Sequence, residues 1–353
     1  MKVFSMFSGV GGFEQAMPED WKVVGLAEKE QYASCVLRYR FPDIKNWGDV
    51  TEIKDYTKIP DCDIIIGGVP CQAWSIVNRG RAGFDDIRGQ MWFWFMKALE
   101  SKQPKYFLAE NVLGIVSHDK GNSFEYLLEK FTELGYYVDF EVVNAEWFLP
   151  QNRERVFILG IRKDFADGWN RRVEEEVAQQ QGYQFSLFPD SEVTTIRDYL
   201  DAKRIVREKC SREILPPERK DGGNKGKDED RRGRHTMVAD YRIDEGLRLR
   251  NKMVCPCLYH RKHSETDMST MPPLIVERDG EKIISIRRLM PIEAEKLMGW
   301  KENWTQYGVN EKGEKFELRN TERYKLCGNG VVTPIPALIY KNIKWLEENY
   351  EQK

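Results

Sequence analysis

Several features that mark other classes of protein are missing from this chain of 353 residues. No run of residues approaches the roughly 18 consecutive apolar residues that a transmembrane helix needs. The seven cysteines are scattered and odd in number, without the spacing of a disulfide framework. The first residues do not form a signal peptide, and no internal repeat is visible. We therefore expect a cytoplasmic protein that binds no membrane.

An excess of charge of either sign is also missing. The formal net charge is −2, although charged residues make up 32% of the chain. This balance is compatible with a nucleic-acid partner, because binding needs a basic face rather than a basic total. The hydrophobic fraction of 41% suffices for a substantial core, and the length suggests two domains.

The first 165 residues alternate between segments typical of strands and segments typical of helices. Strands are predicted over 2–7, 21–27, 63–67, 105–109, 136–143 and 155–161. Helices are predicted over 30–39, 90–99 and 124–134. This alternation is typical of an α/β fold with a doubly wound parallel sheet. Residues 166–283 lose the periodicity, and helical patterns return over 284–353.

A glycine-rich turn, Ser8-Gly9-Val10-Gly11-Gly12, joins the first strand to the first helix. Such a turn lets a ligand approach the backbone closely. The dinucleotide fingerprint GxGxxG is absent, because Glu14 stands at its third position. Glu28 ends the second strand, where a carboxylate accepts hydrogen bonds from both hydroxyls of a ribose. An ordinary tight turn and a solvated Glu28 are the alternative interpretations.

A cysteine occupies an unusual place for a free thiol. Pro70-Cys71-Gln72 follows the apolar run 64–66 and two glycines, so Cys71 is predicted to lie in a loop at the carboxyl edge of the sheet. Ligands of open α/β folds bind at that edge. Free cysteines are more often buried as small apolar residues. Cys71 is therefore a candidate nucleophile.

Six segments of the chain resemble, in order, the motifs of the DNA (cytosine-5) methyltransferase family. They are Phe-Ser-Gly-Val-Gly-Gly at 7–12, Gly-Val-Pro-Cys-Gln-Ala-Trp-Ser at 68–75, Glu-Asn-Val at 110–112, Gln-Asn-Arg-Glu-Arg at 151–155, the segment 287–299, and Gly-Asn-Gly-Val-Val at 328–332. The resemblance covers nearly the whole chain except about 166–283. It is specific because six motifs occur in the family's order.

The resemblance implies a domain organisation and a reaction. Residues 1–165 would form a Rossmann-like, S-adenosylmethionine-dependent catalytic domain, and 166–283 a smaller, mostly irregular or β target recognition domain. Residues 284–353 would support that domain and return a helix to the catalytic one. The implied reaction is methyl transfer to carbon 5 of a cytosine flipped out of double-stranded DNA. The resemblance is to bacterial or phage enzymes of restriction-modification type, which implies a monomer with a cognate restriction endonuclease as a candidate partner.

The family's reaction assigns roles to four residues. Carbon 5 of cytosine is a poor nucleophile until a thiolate, here that of Cys71, adds to carbon 6. Glu110 would hydrogen-bond ring nitrogen 3 and the exocyclic amino group, and burial should raise its pKa so that it donates. Arg155 would contact the ring carbonyl oxygen, which leaves Arg153 as a structural or phosphate contact.

The resemblance also implies a cofactor site for S-adenosylmethionine. Its residues would be Phe7, Ser8, Gly9, Gly11, Gly12, Glu28, Lys29, Asp49, Val50, Pro70, Asn329 and Val331. Asp49 would accept a hydrogen bond from the adenine amino group. The family often has an aromatic residue where this chain has Lys29, whose stem would have to cover the adenine ring instead.

Candidate DNA contacts fall in two segments, the first implied by the resemblance and the second by its basic residues. The first is a mobile catalytic loop over 75–89, with the candidates Ser75, Val77, Arg79, Arg81 and Arg88. The second, within 255–263, carries His260, Arg261, Lys262 and His263 toward a groove. The cysteine and histidine pairs around this second segment stand too close together for the usual zinc sites, so no metal is predicted. A solvated basic loop is the alternative.

Three other functions compete with DNA methylation. RNA methylation by a related branch is disfavoured, because 166–283 is large enough to read a DNA sequence. A catalytically inactive DNA-binding protein is disfavoured by the intact Cys71, Glu110 and Arg155. A nicotinamide-dependent oxidoreductase is disfavoured by the missing dinucleotide fingerprint.

Overall fold

The computed structural model of the protein describes residues 1–70, 91–166 and 289–348 with their side chains, and residues 349–350 and five strands between 234 and 288 as backbone. The strands are β1 Lys2–Met6, β2 Lys22–Ala27, β3 Ile64–Gly68, β4 Tyr106–Val112, β5 Tyr136–Asn144, β6 Gln151–Asn152, β7 Glu154–Arg162, β8 Arg234–Arg242, β9 Gly246–Leu249, β10 Cys255–Pro256, β11 Leu274–Asp279, β12 Lys282–Arg288, β13 Tyr307–Val309 and β14 Lys315–Glu317.

The helices connect and flank these strands. They are α1 Gly12–Gln15, α2 Gln31–Arg40, α3 Met91–Lys102, α4 Gly114–Ser117, α5 Asn122–Glu133, α6 Pro291–Leu297, α7 Asn320–Asn329 and α8 Pro334–Tyr350. Short 3-10 turns cover Val50–Glu52, Tyr56–Lys58, His118–Gly121 and Ala145–Trp147. Within the described ranges, no helix combines the length and apolar character needed to cross a bilayer.

A six-stranded sheet in the order β2-β1-β3-β4-β7-β5 forms the centre of the molecule. Strands β2, β1, β3 and β4 are parallel, as predicted. The prediction of a wholly parallel sheet is wrong for β7, which pairs antiparallel with both β4 and β5. The reason is the short connection after β5, which leaves no room for the crossover helix that a parallel pair requires.

Helices cover both faces of this sheet and bury it in two apolar cores. One core joins the sheet to α2 and α8, through Val36 and Ile339 among others. The other joins it to α3 and α5, through Phe95 and Phe131. Because both faces of the sheet are covered by helices, the sequences of its central strands are continuous apolar runs. The predicted α/β class with a Rossmann-like sheet is confirmed.

A second sheet lies in the part of the chain where no periodicity was visible. Strands β12, β11, β8 and β9 form it in that order, and all its pairs are antiparallel. Strand β12 runs through the boundary predicted at 283–284. Strand β10 pairs separately with β6, so that Cys255 and Pro256 lie beside Gln151 and Asn152.

Candidate active site

The turn between β1 and α1 is built on left-handed backbone. Phe7, Gly9 and Gly11 have φ angles of 53°, 55° and 85°. This conformation strains a side chain, so Phe7 is held there by the surrounding structure. The Gly11 amide closes the turn by donating to the Ser8 carbonyl at 2.9 Å. A Cβ atom at Gly9 would meet nothing within 4 Å among the described residues, so the space beside the turn is open to a ligand.

Glu28 ties the end of β2 to this turn. Its Oε2 accepts from the Gly9 amide at 2.8 Å, and its Oε1 accepts from the Glu30 amide at 2.6 Å. Burial raises the pKa of Glu28, and the amide donors only partly offset that effect. The predicted ribose-binding carboxylate is thus held beside the glycine turn.

Asn46 holds the same strand end and was not identified from the sequence. Its Oδ1 accepts from the amides of Glu28 and Gly48, each at 3.0 Å, and its Nδ2 donates to the Glu28 carbonyl at 3.1 Å. The loop that carries Asn46 is joined to β2 by the Trp47 amide, which donates to the Leu26 carbonyl at 2.7 Å. Only this tertiary pairing reveals the role, because no local pattern marks Asn46.

Asp49 and Lys29 form an ion pair beyond Glu28. The Lys29 Nζ lies 3.0 Å from Asp49 Oδ2, and the Asp49 Oδ1 accepts from the Thr51 amide at 2.9 Å. Burial alone would raise the pKa of Asp49, but the hydrogen bonds from Thr51 and Lys29 outweigh it and lower the pKa. The carboxylate predicted to accept from adenine is therefore ionised and already contacts a cation.

The ends of β3 and β4 are joined where the chain leads into Cys71. Gly68 lies opposite Glu110, and the Val69 amide donates to the Glu110 carbonyl at 3.1 Å. The buried Asn111 side chain donates from Nδ2 to the Val69 carbonyl at 2.9 Å. These bonds fix the backbone that precedes Pro70 and Cys71, which gives Asn111 a positioning role that the sequence did not reveal.

Glu110 and Arg155 form a buried ion pair at the carboxyl end of β4. Arg155 Nε lies 3.0 Å from Glu110 Oε1, and the two side chains are only 15% and 11% exposed. The antiparallel pairing of β7 with β4 brings the two residues together, because Arg155 at the start of β7 lies opposite Val112 at the end of β4. Burial raises the pKa of Glu110, and the charges of Arg155 and Arg153 partly oppose the rise.

Arg153 makes its contacts with the carboxyl-terminal part of the chain. Its guanidinium donates from Nη1 and Nη2 to the Gly328 carbonyl, at 3.1 and 3.2 Å, and from Nη2 to the Gly330 carbonyl at 2.6 Å. The side chain is 3% exposed. Of the two roles that the sequence left open, these bonds support the structural one.

Val331 closes the site from the carboxyl-terminal side. Its carbonyl accepts from Trp300 Nε1 at 2.9 Å. A Cβ atom at Gly12 would lie 3.0 Å from this carbonyl, and one at Gly68 would lie 3.5 Å from Glu110 Oε2. Glycine at position 12 therefore allows the turn after α7 to approach the sheet edge, whereas a Cβ atom at Gly68 would make only an ordinary contact. Asn329, at the end of α7, is exposed.

A second tryptophan holds the glycine turn itself. Trp304 donates from Nε1 to the Val10 carbonyl at 2.6 Å. The Arg40 guanidinium lies over the Trp304 ring, 4.5 Å from its centroid, in a cation–π contact. Arg40 in α2 also donates to the Trp304 carbonyl. The segment after α6 thus locks the turn to α2, a link between distant parts of the chain that the sequence alone does not show.

A buried carboxyl beneath the glycine turn is a further feature that was not predicted. Glu14 is 6% exposed, and neither of its carboxylate oxygens has a hydrogen-bond partner in the described part of the chain. Burial raises the pKa of Glu14 to about 7. Burial, and then the charge of Glu14, raises the pKa of the Tyr340 hydroxyl in α8.

Glu14 should make stability depend on pH. The folded-state pKa of Glu14 lies above the ordinary 4.5. The neutral carboxyl therefore makes its full contribution to the stability of the fold below pH 4.5, and this contribution is lost as the pH rises through about 7. The variant Glu14→Gln carries no titrating group there. The difference in free energy of unfolding between this variant and the native protein should therefore shift in favour of the variant by on the order of 3 kcal/mol when the pH is raised from 5 to 8. Urea unfolding at both pH values measures this gain. The exposed Glu19→Gln is the control, and equal gains for the two variants would contradict the account.

Several predicted site residues lie outside the described part of the chain. They are Cys71, Ser75, Val77, Arg79, Arg81, Arg88, His260, Arg261, Lys262 and His263. The described residues nevertheless bring the predicted groups Glu28, Asp49, Glu110, Arg155 and Val331 to one edge of the sheet. Among the side chains that the structure describes, no group of three or more His, Cys, Asp or Glu could hold a metal ion.

The glycine turn, the Glu28 carboxylate beside it and the Glu110–Arg155 pair thus lie at one edge of an α/β sheet. The family model for C-5 cytosine-specific DNA methylases matches residues 1–345. The chain therefore belongs to this family.

Individual relatives match over different lengths. An orphan methyltransferase, M.SPRI, of Bacillus phage SPR is 40% identical over 52% of this chain and 43% of its own length. The type II methyltransferase M1.ScrFI of Lactococcus lactis subsp. cremoris is 29% identical over 99% of this chain and 79% of its own. The chain thus matches less than half the length of the phage relative.

The fold also resembles solved structures. The Dnmt2 methyltransferase of S. pombe superposes with a TM-score of 0.60, at 17% identity and with 99% of each chain covered. At this identity the likeness concerns the fold alone.

Proposed function

We propose that this protein methylates carbon 5 of a cytosine flipped out of duplex DNA, with S-adenosylmethionine as the methyl donor and Cys71 as the nucleophile at carbon 6. The observation that carries the proposal is the buried Glu110–Arg155 pair, at 3.0 Å, beside the strand end that leads into Cys71. Membership of the family supports the same reaction.

The pair matches the polar edge of a cytosine ring. When the Cys71 thiolate adds to carbon 6, negative charge builds toward ring nitrogen 3. Glu110, whose pKa burial raises, is suited to donate a proton there. The Arg155 guanidinium offers further N–H donors for the ring carbonyl oxygen. In the absence of a base the two groups satisfy each other, which stabilises a site built for a polar ligand.

The residues at the sheet edge also fit the cofactor. When bound, it supplies an electrophilic methyl group. Glu28 would bind the ribose hydroxyls, since its carboxylate lies beside a turn with open space at Gly9. Asp49 would accept from the base, and Phe7, Val50, Pro70, Asn329 and Val331 would contact the rest. The amides of Ser8, Gly9 and Gly11 are engaged within the protein, so the glycine turn would serve by letting the cofactor approach the backbone closely.

We assign the recognition of DNA to two segments of the chain, 75–89 and 255–263. The backbone of Cys255–Pro256 pairs with Gln151–Asn152, directly before Arg153. The basic residues that follow in the sequence, His260, Arg261, Lys262 and His263, would contact a groove of the duplex. Ser75, Val77, Arg79, Arg81 and Arg88 would contact the duplex from the segment after Cys71. Residues 166–283 would thus form the recognition domain and select the target.

The biological setting follows from the same proposal. The protein would act in the cytoplasm on chromosomal or phage DNA, as a monomer. It would protect sites from a cognate restriction endonuclease, or stand alone like the orphan phage relative.

Bisulfite sequencing of DNA from cells that express the protein tests the proposal. We expect 5-methylcytosine at one recurrent sequence, and none in cells without the gene. A parallel assay of the purified protein with duplex DNA and tRNA should show methyl transfer to DNA. Transfer to tRNA alone, or to neither substrate, would overturn the proposal.

A further inference from the structure

Lys29 spans the distance between the ribose-type carboxylate and Asp49. It directly follows Glu28, and its Nζ reaches Asp49 Oδ2 at 3.0 Å. The other Asp49 oxygen is engaged in capping the 3-10 turn, where it accepts from the Thr51 amide at 2.9 Å. The lysine ammonium group therefore occupies the Asp49 oxygen that does not cap the turn.

The surroundings of the pair leave room for a nucleobase. A Cβ atom at Gly48, directly before Asp49, would meet no described atom within 4 Å. The Lys29 side chain is 61% exposed and that of Asp49 is 21% exposed. An ion pair this close to solvent contributes little free energy, so the ammonium group leaves at low cost. A nucleobase whose ribose is bound by Glu28 would therefore meet Asp49 with the mobile ammonium group of Lys29 already bound to it.

We propose that Lys29 determines the nucleobase specificity of the cofactor site. Its ammonium group competes with the amino group of adenine for Asp49. The same ammonium group can donate a hydrogen bond to a base that carries a carbonyl oxygen in place of that amino group. This inference rests on the proposed function, since it requires an adenosyl ligand with its ribose on Glu28. It concerns the balance between two ligand chemistries and requires no change in the methylation step.

Removal of the ammonium group should change the affinity for the two kinds of ligand in opposite directions. An adenine amino group needs Asp49 Oδ2, so removal of the ammonium group should strengthen adenosyl binding. A carbonyl oxygen at the same position would face the Asp49 carboxylate and needs a cation between them, so removal of the ammonium group should weaken binding of that ligand. Lys29→Met tests both effects, because methionine keeps an unbranched stem and carries no charge.

Isothermal titration calorimetry with S-adenosylhomocysteine and S-inosylhomocysteine measures the two effects without catalysis. In Lys29→Met, the Kd for the adenosyl ligand should fall about two- to fivefold, which corresponds to the free energy that an exposed ion pair usually contributes. The Kd for the inosyl ligand should rise, so that the ratio of the two constants grows at least about fourfold. In an Asp49→Asn background, Lys29→Met should leave this ratio unchanged.

Lys58→Met is a matched control. Lys58 pairs with Asp55 at 3.8 Å, and Asp55 caps the next 3-10 turn through the Thr57 amide, as Asp49 caps its own. This variant should bind both ligands as the native protein does.

The outcomes separate the inference from the proposed function. Native protein that binds neither ligand would overturn both. Native protein that binds S-adenosylhomocysteine, with an unchanged ratio in Lys29→Met, would overturn the inference alone. A weaker adenosyl complex in Lys29→Met would also overturn it, because the lysine would then support the adenine rather than compete with it.

Discussion

Replacement of Cys71 by serine should abolish methyl transfer, with a loss of at least about a thousandfold. The thiolate is the species that adds to carbon 6, whereas a serine hydroxyl is scarcely ionised near neutral pH. Binding of duplex DNA should survive, because a serine occupies nearly the same volume and the described contacts around Val69 and Asn111 stay intact. Transfer of a labelled methyl group and a DNA mobility shift measure the two properties separately.

Cys62 provides the control for this variant. It precedes β3, at the opposite end of that strand from Cys71, and burial raises the pKa of its thiol to about 12. Such a thiol is protonated at physiological pH and is chemically inert. Cys62→Ser should therefore retain activity. Substantial methyl transfer by Cys71→Ser, with DNA binding retained, would contradict the assigned nucleophile.

Replacement of Glu110 by glutamine should lower the rate of methyl transfer by about a hundredfold to ten-thousandfold, the usual contribution of a general acid. The amide cannot give a proton to ring nitrogen 3. It also leaves the partly buried Arg155 without its carboxylate partner. Single-turnover rates at saturating DNA and cofactor measure the chemical step and exclude effects on binding.

A second buried pair separates loss of chemistry from loss of stability. Glu295 is fully buried, Arg323 Nη2 lies 2.9 Å from its Oε1, and the same oxygen accepts from the Thr305 amide at 2.9 Å. Glu295→Gln should lower thermal stability and leave the single-turnover rate near native at temperatures where the protein is folded. If Glu110→Gln and Glu295→Gln lowered the rate alike, Glu110 would have no special part in the reaction.

The sequence predicted the individual strands well, because few alternatives suit their residues. The run Ile64–Ile66 is β-branched, apolar and ended by two glycines, and it forms β3 over Ile64–Gly68. The order of strands was harder to predict. The antiparallel insertion of β7 depends on the short connection after β5, and it is this insertion that brings Arg155 to Glu110.

The supporting contacts of the site were out of reach of sequence patterns. Arg153 bonds to carbonyl groups about 175 residues away along the chain, a separation that no local period encodes. Trp304 bonds to the Val10 carbonyl and Asn46 bonds to the backbone of Glu28 and Gly48, contacts for which the residue type gives no signal. A mostly irregular or β domain was predicted over 166–283, but none of the strands between 234 and 288 was placed, because segments such as Leu274–Asp279 hold their apolar residues in one block and lack the alternation of a half-buried strand.

The central claim, a covalent bond from Cys71 to the target base, is tested most directly with duplex DNA that carries 5-fluorocytosine at the methylated position. The proton that must leave carbon 5 is then absent, so the adduct should persist. With cofactor present, we predict a protein–DNA band that survives denaturing electrophoresis for the native protein and is absent for Cys71→Ser. No such band with the native protein, or the same band with Cys71→Ser, would contradict the account.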